Sequence, residues 1–206
     1  MMPLNLKSLL TTFALTLIAS ANVGAGPIAL GDFSGSETVT TFNGLGLPFS
    51  NPGPLVIDGN TYTTDSGDIR YTDNFEADCD LECIGNSSDT GWIDVVLGGF
   101  FQRVGGRIGG GTTTYAGFVD FFGVGDVLLG TINYGNNDGL VFAGWEDAAG
   151  ITRVRINDTA SNGRIVHLED FRFETAAAVE PVPAPATLAL FGLGLAALGW
   201  SRRKKA

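Results

Sequence analysis

The sequence predicts an all-β, antiparallel β-sandwich of jelly-roll-like form, a single domain set between an N-terminal signal helix and a C-terminal transmembrane helix. Three observations predict it. Short segments of alternating polar and apolar residues recur through the middle of the chain, bounded by Gly, Asn, Asp or Pro. No stretch of that middle keeps a helical apolar period over a helical length. About 150 residues separate the two apolar ends, enough for one domain with a core of its own.

Taken in order, residues 1–21 read as a signal peptide. Lys7 precedes an apolar run from Leu9 to Ile18, and Ala19-Ser20-Ala21 places small residues at both positions that signal peptidase reads. Cleavage is expected before Asn22, with Val23-Gly24-Ala25 as a second small-residue site. Residues 22–178 form the exported body. Its strand-like segments are SETVTTF, TYTTD, DIRY, GWIDVVL and FFQRV, then TTTYAGFVDFFG, DVLLGTINY, GLVFAGW, ITRVRIND and RIVHLEDFRFE. Alternation turns Val154 and Ile156 to one face and Arg153 and Arg155 to the other. In the last segment it turns Phe171 and Phe173 inward and leaves Arg172 and Glu174 outside.

Residues 179–185 are a Pro-rich linker, and residues 186–206 a membrane and sorting segment. Ala186 to Trp200 carries no charge. At about 1.5 Å per residue this run spans roughly 22 Å of a hydrocarbon core about 30 Å thick, and Ser201 with the stems of Arg202 and Arg203 extends it. Arg202, Arg203, Lys204 and Lys205 follow at once, so the positive-inside rule leaves the C-terminus in the cytoplasm and the body outside.

The Val182-Pro183-Ala184-Pro185 hinge, the apolar run with Gly192 and Gly194, and the four-residue basic cluster together resemble the PEP-CTERM sorting signal of bacteria that export exopolysaccharide. Pro183-Ala184-Pro185 stands where that family has Pro-Glu-Pro. The resemblance implies processing by signal peptidase and by exosortase, a membrane protease-transpeptidase, and a final place at the cell surface or outside it. The layout from Phe118 to Phe173 is similar to jelly-roll ectodomains found upstream of such tails, and related sandwiches bind carbohydrate.

All 22 acidic residues lie between Asp32 and Glu180, whereas Lys7, Arg202, Arg203, Lys204 and Lys205 sit in the two ends. The body therefore carries 7 minus 22, or −15, and contains no Lys. Such a charge repels nucleic acid and anionic membrane surfaces, and excludes them as partners of the body.

Cys79 and Cys83 are the two cysteines, and export favours a local disulfide between them. A metal or redox site at the pair is set aside because no histidine accompanies them in the sequence. Asp73, Glu76, Asp78, Asp80 and Glu82 gather carboxylates around the pair, oxygen ligands of the kind calcium takes, without the spacing of an EF-hand. A solvated acidic loop is the plainer reading, and no other cofactor is implied. Glu146-Asp147 and Glu169-Asp170 offer carboxylates, but neighbours on a strand point to opposite faces and form no glycosidase dyad, so they read as solvated strand-end charges. His167, the one histidine, has no Gly-x-Ser-x-Gly partner. Gly105-Gly106 and Gly109-Gly110-Gly111 read as flexible loop. Trp92, Trp145, Tyr115 and Tyr134 are the aromatics available to a sugar platform. The sequence thus predicts an exported, non-enzymatic structural, adhesive or weakly carbohydrate-binding module of the extracellular polysaccharide matrix. The alternative is a secreted polysaccharide-acting hydrolase.

Overall fold

The computed structural model describes residues 24–48, 50–73, 79, 82–86, 91–109, 117–135, 140–159 and 166–175. The chain divides into two units, Met1–Thr175 and Ala176–Ala206, and the described residues lie in the first. The signal peptide with Ala19 and Ala21, the linker, and the whole sorting segment from Val182 to Lys205 lie outside the described residues. None of the described helices is long and apolar enough to cross a membrane.

Among the described residues there are twelve strands: β1 (Gly26–Ile28), β2 (Thr38–Thr40), β3 (Ser50–Pro52), β4 (Leu55–Ile57), β5 (Asn60–Thr64), β6 (Asp68–Asp73), β7 (Glu82–Asn86), β8 (Trp92–Gly109), β9 (Gly117–Phe122), β10 (Leu128–Tyr134), β11 (Val141–Asp158) and β12 (His167–Glu174). Two single 3₁₀ turns, Leu30–Asp32 and Val124–Asp126, join them. The protein is all-β, and every pairing is antiparallel.

Two strands organise the rest. β8 and β11 each run for 18 residues and pair along both of their halves, from Trp92↔Asn157 to Ile108↔Val141. The sequence reading divides each into two short strands, because Gly98-Gly99 and Ala148-Ala149-Gly150 look like turns. They are instead bends inside continuous strands. The register shifts between Glu146 and Arg153, where Gly150 takes φ +94° and Asp147 Oδ1 accepts the Ala149 N–H at 2.7 Å. A bulge of this kind re-aims a strand without ending it.

Each half of the long pair carries its own arm. On the first, β5 and then β4 flank the start of β8, while β9 and then β10 flank the end of β11. On the second, β1 flanks the start of β11, and β12 flanks the end of β8, followed by β2, β7, β6 and β3. The β4–β5 hairpin turns on Asp58-Gly59, both at positive φ, the conformation a two-residue hairpin requires. Pro52 is tolerated because β3 is an edge strand. The sequence reading passes over β1, β3, β4 and β7, which are three to five residues long and too short to display alternation.

The inner faces of the two arms make one core. Tyr62 of β5 meets Phe171 of β12 edge-on at 6.0 Å and Phe42 at 5.5 Å. Phe121 of β9 stacks on Trp145 of β11 at 5.7 Å. Gly130 lies beneath that indole, and a Cβ there would come within 2.0 Å of its ring, so no larger residue fits. Gly105, Gly106 and Gly109 belong to β8 and not to a flexible loop. Phe142 lies across Gly105 and Gly144, which leave it room, and a glycine in a strand marks such a close approach.

Candidate functional site

The outer faces of the two arms differ in what lies on them. The second arm is crossed by the N-terminal segment. Phe33 packs edge-on to Phe142 at 6.1 Å, and Arg103 Nη1 donates to the Asp32 carbonyl at 2.9 Å. The Ser34 backbone and hydroxyl both donate to Glu174. Arg103 also bridges Glu146 and Glu174, and Arg172 donates to Glu37 at 2.8 Å. A backbone hydrogen bond first, and Arg172 after it, hold the Glu37 carboxyl below the usual range against the opposing effect of desolvation.

Among the described residues, the first arm presents an open face. Strand register sets three rows across it, with neighbouring strands about 4.8 Å apart. One row runs Val56, Thr61, Val96, Arg153, Phe122 and Leu128. The next runs Thr63, Asp94, Arg155, Asp120 and Thr131. The third runs Trp92, Asn157, Phe118 and Asn133. Val56, Val96 and Leu128 are 64%, 46% and 54% exposed.

Arginine and aromatic side chains tile this face. The Arg153 guanidinium lies 4.0 Å over the Phe122 ring, and that of Arg155 lies 4.7 Å over Trp92. Asp94 sits between the two arginines, accepting from Arg155 Nε at 2.9 Å with Arg153 Nη1 at 3.6 Å. Arg153 Nε reaches Asp126 at 3.1 Å, and Thr131 donates to Asp120 at 2.6 Å. Two guanidiniums against Asp94, Asp120 and Asp126 leave the face close to neutral on a strongly acidic body. Each arginine covers one face of its ring, so what the rings present to a ligand is the side that the guanidinium leaves uncovered, beside hydroxyl and carboxylate groups in fixed register.

The residues singled out from sequence disperse. Trp92 joins this face, whereas Trp145 packs against the core and Tyr134 is buried within it, its hydroxyl donating to the Asn157 carbonyl at 2.8 Å. Tyr115 lies outside the described residues. Phe118 and Phe122 were missed as surface aromatics. Their signal was available: Asp120 shares an alternation face with Phe118 and Phe122, whereas Val119 and Phe121 take the other.

The carboxylates read as solvated are engaged by the fold. Glu169, 2% exposed, accepts from Arg107 at 3.1 Å, and Glu146 pairs with Arg103. Asp147, 8% exposed, braces the β11 bend, and Asp170 lies 3.8 Å from Arg172. Glu174 corrects the outward assignment: it is buried, because Arg103 and Ser34 close over it.

Cys79 and Cys83 are joined, with Cα atoms 6.2 Å apart. The fold adds what the sequence does not show: His167 lies at the pair, the two sulfurs and one imidazole nitrogen all within 4.8 Å of one another. Burial, and then the charge of Arg70, push this imidazole down to about 4. Of the calcium candidates, Asp73 and Glu82 are register partners on β6 and β7, and the Glu82 carboxylate accepts the Gly44 N–H. Glu76, Asp78 and Asp80 lie outside the described residues.

Beyond this body, residues 181–204 match the family model of the PEP-CTERM protein-sorting motif. The chain carries a PEP-CTERM sorting motif. That motif implies export, processing by exosortase and membrane-associated sorting toward the cell surface. No curated protein matches the chain.

Proposed function

We propose that the body is a non-enzymatic structural or adhesive module of the extracellular polysaccharide matrix, binding glycan weakly through the open face of the first arm. One observation carries the reading: Trp92 and Phe122 lie on one exposed, nearly neutral face, each fixed by an arginine, among hydroxyl and carboxylate groups. A sugar ring has an apolar face and a polar edge, which such a surface complements. An acidic polymer is disfavoured by the surrounding charge, so a neutral glycan is the class it suits. The jelly-roll-like sandwich belongs to the same reading and is supported by the packing of Tyr62 on Phe171 and Phe121 on Trp145 between the arms. So do removal of residues 1–21 and a single membrane passage by residues 186–206, with the C-terminus cytoplasmic before exosortase acts.

Co-sedimentation of the full chain with neutral and uronic-acid polysaccharides, with release of reducing ends followed in parallel, tests this. Retention on the neutral polymer without new reducing ends is the expected result. Release of reducing ends supports the hydrolase instead, and retention on neither polymer removes the glycan reading.

A further inference from the structure

Cys79, Cys83 and His167 come together from two stretches of the chain, the one that ends in β7 and the one that opens β12. Cys83 lies on β7 and His167 begins β12; Cys79 is four residues before Cys83. All three are buried, at 2%, 0% and 0% exposure. Gly85 makes the approach of the imidazole possible, since a Cβ there would stand 2.8 Å from His167 Cδ2. The β7–β12 register holds the arrangement, pairing His167 with Gly85 and Leu168 with Ile84.

Three donors this close match the needs of a thiophilic divalent cation. Cys-x₃-Cys falls within the spacing of about two to four residues usual for zinc thiolate pairs. Zn–S bonds of about 2.3 Å in a tetrahedral site place two sulfurs about 3.8 Å apart, within reach of cysteines whose Cα atoms are 6.2 Å apart. Two thiolates, one neutral imidazole and one divalent ion sum to zero charge, the condition under which an ion is tolerated in an apolar interior. The fourth tetrahedral position remains for a further donor.

We propose that the disulfide and His167 form a redox-gated metal site: closed when oxidised, and a Cys₂His site for zinc or a similar thiophilic cation when reduced. Opening requires two electrons, supplied in biology by a dithiol that becomes a disulfide as the Cys79–Cys83 bond breaks and each sulfur takes a proton. In vitro a phosphine does the same, its lone pair forming the P=O bond with water's oxygen while water's two protons go to the sulfurs. The divalent ion then displaces both thiol protons to solvent.

The chain suits a direct test, because it contains no other cysteine and no other histidine. The full chain is reduced with a phosphine under inert gas, the reductant removed, and cobalt(II) added as a spectroscopic probe, followed by zinc in competition. The expected result is thiolate-to-cobalt charge-transfer absorption saturating at one ion per chain, absent from the oxidised protein and from Cys83→Ser. His167→Gln should weaken binding by more than the roughly 10- to 100-fold that loss of an outer partner costs. That variant could also alter the fold, so the single imidazole resonance of the reduced wild-type chain is recorded with and without zinc. A shift of its nitrogen on zinc addition supports ligation. Absence of charge-transfer bands after reduction, or bands with an unmoved imidazole, would overturn the proposal.

Discussion

Tyr62 and Tyr134 carry their hydroxyls into the core, and burial pushes Tyr62 up to about 12 and Tyr134 higher still. An unfolded phenol ionises near 10, so the folded state holds these protons more tightly. Their contribution to stability is intact below about pH 10 and is lost as the pH rises through the folded values. Alkaline titration by circular dichroism should therefore show unfolding begin above about pH 10 together with phenolate absorbance. Tyr62→Phe should move the midpoint upward, and ionisation of both buried phenols in folded protein would contradict the assignment. Gly130→Ala forces a methyl against the Trp145 ring and should cost about 1–3 kcal/mol in a urea melt, whereas Gly26→Ala, with open space at its Cβ, should be near neutral. At this scale the sequence was legible wherever strand alternation alone decides, as for Val154 and Ile156 against Arg153 and Arg155. It was not legible for Glu174, whose partners Arg103 and Ser34 lie 71 and 140 residues away in the chain.

The two long strands explain both the success and the failure of the element reading. Turn residues such as Gly98-Gly99 and Gly150 announce a change of direction, and a bend within a paired strand uses the same residues as a hairpin between two. Only the pairing partner distinguishes them: β8 and β11 pair with each other on both sides of the corner, with the register shifting within it. Asp147 is the local brace of that corner. Replacing it with Ala removes the acceptor of the Ala149 N–H and should cost about 1 kcal/mol, with faster amide exchange at the bend and unchanged exchange in the Tyr62–Phe171 core. Uniform loss of protection would mean the corner is not a separate element. The open face was half legible, since alternation gave Arg153 and Arg155 a wet side. The aromatics beside them were missed although Asp120 shares their alternation face and marks it as the wet one, opposite Val119 and Phe121.

For the whole molecule, address and activity come from different parts of the sequence. The tail speaks through local order of residue types, which needs no fold to be read; the body speaks only after distant strands are in register. Intact mass of protein recovered from membrane and extracellular fractions should show a mature form lacking residues 1–21 and the segment after the Val182–Pro185 hinge. A mass retaining residues 186–206 throughout would contradict exosortase release. If neutral glycan is held by rings and hydrogen bonds, as proposed, its retention should be insensitive to salt, because no long-range charge is involved. The central claim is that the open face of the first arm meets the matrix. It is tested most directly by comparing retention of wild type, Trp92→Ala/Phe122→Ala and Phe142→Leu chains on the neutral polysaccharide. The account predicts a loss of about 5- to 30-fold, equivalent to roughly 1–2 kcal/mol, for the Trp92/Phe122 pair alone. Equal retention of all three folded chains would contradict it.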